Sequence, residues 1–360
     1  MGKYHQSMSS SRGNEVTNYV SRLLHIEALS HLCCRSKLRR MSDRAEERAA
    51  LLALMEERPS LMGERAGKTA WSTIASEVAV RGSALALWEE LHPPALDLDD
   101  SLIPAIGGEA ELLFKQSWET VREWESSGEF ELLTVLDAAY PVALREIHQT
   151  PPMLFVKGDL RADEDGVSVV GSRKASAFGL SIAANVAQGL ADRGVSVISG
   201  LAEGIDGAAH EATLEAGGRP IGVIGTGIRR VYPASHRSLH ERVAAAGALV
   251  SQFFPDAPPT KYSFPMRNVT MSGLGRASVI VEAGEHSGAR IQARVAVEHG
   301  RPVILTDHVV NETKWGKALE GRPGVYVAGS TADVMGIVEL LIADSRSRDL
   351  AVLNTGPAPA

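Results

Sequence analysis

Cysteine is nearly missing from this chain: among 360 residues only Cys33 and Cys34 occur. Adjacent cysteines form neither a routine structural disulfide nor the C-x-x-C half of a zinc site, which excludes a disulfide scaffold and implies no metal. Long apolar runs are missing as well. Nothing approaches the roughly 18 residues that span a bilayer, and the first residues lack the basic-then-apolar layout of a secretory leader. A cytoplasmic location with no membrane association is therefore expected. An excess of positive charge is also lacking. The net charge of -7 argues against a surface that coats nucleic acid uniformly.

What is present is a chain 44% hydrophobic, long enough for one large core and two domains. Its charge is unevenly distributed. Met41 to Leu160 carries 10 basic against 22 acidic residues, whereas Gly171 to Arg301 carries 14 against 10. Only the second stretch suits a polyanion, and its small margin predicts a local groove with particular cations. Residues 1–40 read as a disordered or upstream extension. Helical spacing of Leu51, Leu52, Leu54 and Met55, then of Ile74, Val78, Leu85 and Leu87, predicts a small N-terminal helical domain over 41–130. A main domain over 131–330 and a C-terminal helix and tail over 331–360 follow.

The main domain is written in βαβ rhythm. Val167 to Val170, Val195 to Ile198, Ile221 to Ile224, Ala248 to Val250, Ser278 to Val281 and Val303 to Leu305 are short apolar runs bounded by Gly, Ser or Pro. Segments of helical length separate most of them. Parallel strands need such crossovers, so the predicted fold is α/β, an extended Rossmann-like, doubly wound, mostly parallel sheet preceded by the helical domain. Its ligands belong beyond the strand C-termini.

Almost every distinctive loop falls there. Gly171-Ser172-Arg173 follows the first of these strands and is either an anion-binding turn with an arginine fork or a plain strand-to-helix turn. Ser199-Gly200 opens a run to Gly204, Asp206 and His210; Asp206 and His210 are either an acid/base pair or a helix cap and a packed ring. Gly225-Thr226-Gly227 lacks the third glycine of a dinucleotide fingerprint, and Gly63 to Thr69 is one residue short of a P-loop, so no nucleotide cofactor is expected. A Pro-rich loop then holds Lys261, Phe264, Arg267 and Asn268. Cations that track phosphates, interleaved with a ring that stacks on a base, are what a single-stranded nucleic-acid groove requires. Glu282 reads as an acceptor for loop N–H groups or as a base, and Ser287-Gly288 as another small-residue turn at a helix start.

Taken in order, Ser199-Gly-Leu-Ala-x-Gly-Ile-Asp-x-x-Ala-His210, Gly225-x-Gly-x-x-x-x-Tyr-Pro233, Phe264-Pro-x-Arg-Asn268 with Ser272-Gly273-Leu274, and Glu282-Ala283 with Ser287-Gly288 resemble the DprA/Smf family of DNA-processing proteins. The resemblance implies single-stranded DNA binding, a homodimer and a partner recombinase of the RecA type, and no reaction. It implies that Arg173 meets the DNA backbone with the Gly171 and Ser172 amides and Ser199-Gly200 nearby. It further implies that Lys261 holds a phosphate, Phe264 stacks a base, and Arg267 and Asn268 line the same pocket. Asp206, Gly225, Gly227, Glu282, Ser287 and Gly288 are secondary pocket candidates. Two departures stand out: Val269 replaces the second arginine of the family's Arg-Asn-Arg, and Thr306-Asp307-His308 replaces its Pro-Gly. The competing expectation is a Rossmann-like sensor or nucleotide-cleaving enzyme with Glu282 or Asp206 catalytic.

Overall fold

The computed structural model describes residues 43–57, 70–93 and 106–354. The expected extension over 1–40 and the Gly63 to Thr69 segment lie outside the described residues. Helices α1 (43–57), α2 (Ala70–Arg81), α3 (Ala84–Leu91) and α4 (Ile106–Ser127) come first. Then follow β1 (Glu131–Thr134), α5 (Val142–Arg145), β2 (Met153–Gly158), β3 (Gly166–Val170), α6 (Ala177–Ala191), β4 (Ser196–Ser199) and α7 (Ile205–Glu215). Next are β5 (Pro220–Val223), α8 (Arg237–Ala246), β6 (Ala248–Ser251), α9 (Ser263–Leu274), β7 (Ala277–Ile280) and α10 (Gly288–Glu298). The chain closes with β8 (Val303–Thr306), α11 (Asp307–Glu312), α12 (Lys314–Leu319), β9 (Val325–Ala328) and α13 (Thr331–Asn354). No described helix is long and apolar enough to cross a membrane.

Among the described residues nine strands form one sheet, in the order β1-β2-β6-β5-β4-β3-β7-β8-β9. From β6 to β9 every neighbour is parallel; β1 and β2 add an antiparallel edge. Period-2 alternation sends Val167, Val169, Val197, Val279 and Ile304 to a face covered by α6, α7 and α13. Val170, Ile198, Ile280, Val303 and Leu305 go to the opposite face, under α9 and α10. The sheet is thus doubly wound, as expected. Its order reverses at β3, where β4 lies on one side and β7 on the other, so the switch-point crevice opens beyond the ends of β3 and β7.

The N-terminal helices share a third apolar cluster with the sheet edge: Leu51, Leu54, Trp71 and Trp88 pack with Phe130, Leu132, Phe155 and Leu249. Charge ties the same layers. Buried Arg48 of α1 donates to the Leu132 carbonyl (2.6 Å) and to Asp137 (3.2 Å). Burial alone would raise the Asp137 carboxyl, but Arg48, the Thr134 amide and Arg44 hold it below its ordinary value. Glu47 caps α3 by accepting from the Ala84 and Leu85 amides (2.6 and 3.1 Å).

The structure corrects the expectation that Lys261 to Asn268 is a loop: Ser263 onward is α9. Four prolines in 255–265 suggest irregular chain, yet Pro265 sits in the first helical turn, where its missing N–H would have no helical partner anyway. Thr260 and Ser263 exchange reciprocal amide-to-hydroxyl bonds (3.0 and 3.1 Å) that start the helix. Strands β2 and β9 also escape the pattern reading. Pro151-Pro152 masks the start of β2, and β9 is short and partly exposed.

Candidate nucleic-acid interface

Helical spacing on α9 builds one wall of the switch-point crevice: Phe264, Arg267, Asn268 and Met271 fall at i, i+3, i+4 and i+7 and share one face. The loop after β3, Gly171 to Lys174, makes the second wall, and the start of α10, from Ser287 to Gln292, makes the third. They enclose a cavity of about 570 Å³. The Phe264 ring is half-buried and also lines a smaller cavity of about 70 Å³ with Gly225, Tyr232 and Pro233. Gly225 is required under it, because a Cβ there would lie 2.7 Å from the ring. The Arg173 guanidinium stands 5.0 Å over the ring centroid and the Tyr232 ring 5.4 Å from it. Arg173 and Lys174 are exposed at the mouth.

Beneath this surface the polar groups are engaged with one another. Arg267 is 5% exposed; its Nη1 donates to the carbonyls of Gly200 (2.6 Å) and Val223 (2.7 Å), and its Nε to Asn268 Oδ1 (3.1 Å). Burial lowers its pKa, opposed by the charge of Asp206. Asp206 accepts from the amides of Gly200 (3.1 Å), Ala202 and Gly171. Burial raises its carboxyl above the ordinary value, while Arg267 and those amides pull it back. Gly204, at φ 78°, brings the loop over the carbonyls of Ser172 and Arg173, where a Cβ would clash.

The structure therefore divides the expected site. Arg173, Phe264, Asn268, Ser287 and Gly288 meet at the large cavity with Arg267, but the Arg267 fork is spent on strand carbonyls and its expected openness to phosphate is corrected. The Ser172 amide donates to the Glu282 carbonyl (2.7 Å) and the Gly171 amide to Asp206, so neither remains for an anion. Ser199 is buried and donates to the Val169 carbonyl (2.6 Å). Gly227 bonds to the Ala257 carbonyl and lines neither cavity. Exposed Lys261 also lies outside both walls, its ammonium 5.0 Å over the Tyr262 ring. Asn268 donates to the Gly288 carbonyl (3.4 Å), and Ser287 caps α10. The Glu282 carboxylate accepts from the Ser176 amide (2.9 Å) and hydroxyl (2.5 Å), capping α6. Both carboxylates of the competing enzyme expectation are thus held in internal bonds.

Sequence reasoning missed Lys174, Tyr232 and Gln292. Tyr232 lay within the quoted motif but carried no assigned role. Gln292 is fully buried, donates to Ser278 Oγ (3.1 Å), and its Oε1 has no partner among the described residues. Only its position on α10, one turn past Gly288, could have pointed to it.

His210 is fully buried and lines neither cavity. Burial depresses it to about 3, so the fold keeps it neutral, whereas the unfolded chain protonates it below about pH 6.5. Stability contributed by the neutral ring is full above pH 6.5 and falls as pH drops toward the folded value. By pH 5 the loss is about 2 kcal/mol. His240, depressed to about 4 by burial, acts in the same direction. Urea midpoints are expected to fall from pH 7.5 to 5, with a shallower fall in His210→Gln; an identical slope in that variant refutes the assignment.

Comparison with known proteins follows the same crevice. The family model for DNA recombination-mediator protein A matches residues 131–322. DNA processing protein DprA of Bacillus subtilis is 38% identical over 167 residues, 46% of this chain and 56% of that protein. The chain spans about half the length of the curated relatives it matches. The X-ray structure of DNA processing protein A from Streptococcus pneumoniae superimposes with a TM-score of 0.55 at 28% identity, covering 81% of this chain and 95% of that one. DNA processing protein A from Helicobacter pylori, described for its single-stranded DNA binding mode, gives 0.52 at 23% identity over 60% of this chain and 97% of its own, a likeness of fold. The matched span runs from β1 to just before β9, more than half of the chain and every wall of the crevice: the chain belongs to the DNA recombination-mediator protein A family.

Proposed function

We propose that this chain binds single-stranded DNA across the β3/β7 crevice as a non-enzymatic recombination mediator of the cytoplasm. The observation that carries the reading is the Phe264 ring, half-buried between two cavities with the Arg173 guanidinium above it. The exposed Arg173 side chain moves off the ring to hold the charged backbone with Lys174, and the ring face it leaves takes a splayed base. Family membership and the strand-binding relative from Helicobacter pylori support the same assignment. Lys261 contacts the strand where it leaves the cavity, one turn before Phe264. Delivery of the bound strand to a RecA-type recombinase, and action as a homodimer, extend the proposal on family resemblance alone.

The test is fluorescence anisotropy with labelled oligo-dT beside nucleoside monophosphates. Affinity for the oligonucleotide that weakens with salt is the expected result; tight monophosphate binding with no oligonucleotide response overturns it in favour of a nucleotide sensor. Arg173→Ala and Lys261→Ala are each expected to flatten the plot of log affinity against log salt by about 0.7, the slope of one single-strand phosphate contact. Parallel slopes for wild type and either variant remove that residue from the phosphate path.

A further inference from the structure

A second cavity of about 610 Å³ adjoins the crevice on the far side of α9. Its walls come from the segment before β2 (His148 to Pro152), from Trp71 of α2, and from the outer faces of α9 and α10. Pro265 and Ile291 line both this cavity and the first, so the two meet over the saddle between the starts of α9 and α10.

We propose that this cavity is a second nucleotide subsite, receiving a base several nucleotides further along a single strand that also occupies the β3/β7 crevice. The inference rests on the single-strand reading above. Four observations carry it. The cavities are alike in size and share Pro265 and Ile291 as lining residues, so one strand crossing that saddle reaches both. Trp71, 8% exposed and otherwise packed in the apolar cluster of the helical layer, gives the cavity an aromatic wall. Half-buried Gln149 adds an amide NH2 able to meet a base edge, its Oε1 being paired with His299 (3.2 Å), while the Oε1 of buried Gln252 accepts from the Thr270 hydroxyl. Arg294 stands 68% exposed at the rim, paired among the described residues with Glu298 one turn along α10 (3.7 Å), and a phosphate competes for such a solvated pair. Trp71 is supplied by the helical layer, so that layer takes part in binding as well as covering the sheet edge.

The test uses the full chain with oligo-dT of about three and about twelve nucleotides. Short oligomers fill one subsite and long ones both. Trp71→Phe, which keeps a ring but shrinks the aromatic wall, and Arg294→Glu, at an exposed position, are each expected to weaken the longer oligomer roughly tenfold and leave the shorter nearly unchanged. The longer oligomer also quenches tryptophan emission in the wild type, and Trp71→Phe loses that quench. If both variants bind both lengths as the wild type does while Phe264→Ala weakens both, the second subsite is wrong and the first stands. If Phe264→Ala too is without effect, the strand-binding reading itself fails.

Discussion

Replacement of Arg267 by alanine is expected to lower folding stability by about 2–5 kcal/mol, the effect of leaving two buried carbonyls without their donor and a buried carboxylate without its nearby opposite charge. The reason is local. Asp206 is 5% exposed and keeps only backbone amides once its counter-charge is gone, and the Gly200 and Val223 carbonyls lose the donor that joins the ends of β4 and β5 to α9. Arg267→Lys keeps the charge but not the fork, so it recovers part of the loss. Adding Asp206→Asn to Arg267→Ala also recovers stability, because the stranded carboxylate disappears. Urea denaturation of the single and double variants measures this. A large loss of strand affinity at unchanged stability contradicts it and returns Arg267 to the ligand.

Phe264→Ala is the complementary case, with its large effect on binding. A base stacked on the ring contributes about 1–3 kcal/mol, so affinity for oligo-dT is expected to fall between about 5-fold and 150-fold. Stability changes less than at a fully buried ring, since Phe264 is only half-buried, against Gly225. Phe264→Trp separates platform from plug: a wider stacking face preserves affinity, whereas a ring that merely filled space would not tolerate the larger one. Anisotropy and urea unfolding on the same preparations decide. Equal losses in both for Phe264→Ala mean that the ring is core.

These two arginine-region residues show how differently side chains in one motif behave. Phe264-Pro-x-Arg-Asn268 reads as a single recognition element because its composition suits a nucleic-acid groove. On the helix, the residues do share a face, but depth along that face differs: Phe264 ends at the cavity mouth and Arg267 turns down onto the strand ends. The same division separates Arg173, which stays exposed, from Ser199, whose hydroxyl is consumed by the strand beside it. Charge and aromaticity mark a region as suited to a polyanion; which cation faces solvent depends on acceptors that other strands bring.

By itself the sequence determined the α/β class, the six inner strands from β3 to β8, the clustering of small-residue loops beyond their ends, and the family. Each is written in local periodicity or in ordered motifs, which need no knowledge of distant contacts. Only the tertiary structure decided that Lys261 to Asn268 leads into a helix, that the Arg267 charge is buried where it acts on Asp206, and that Trp71 and α9 enclose a second cavity. Those outcomes depend on groups far apart in the chain, such as the Gly200 carbonyl and Arg267. Their burial sets which polar atoms must find partners inside the protein and which stay open to a ligand.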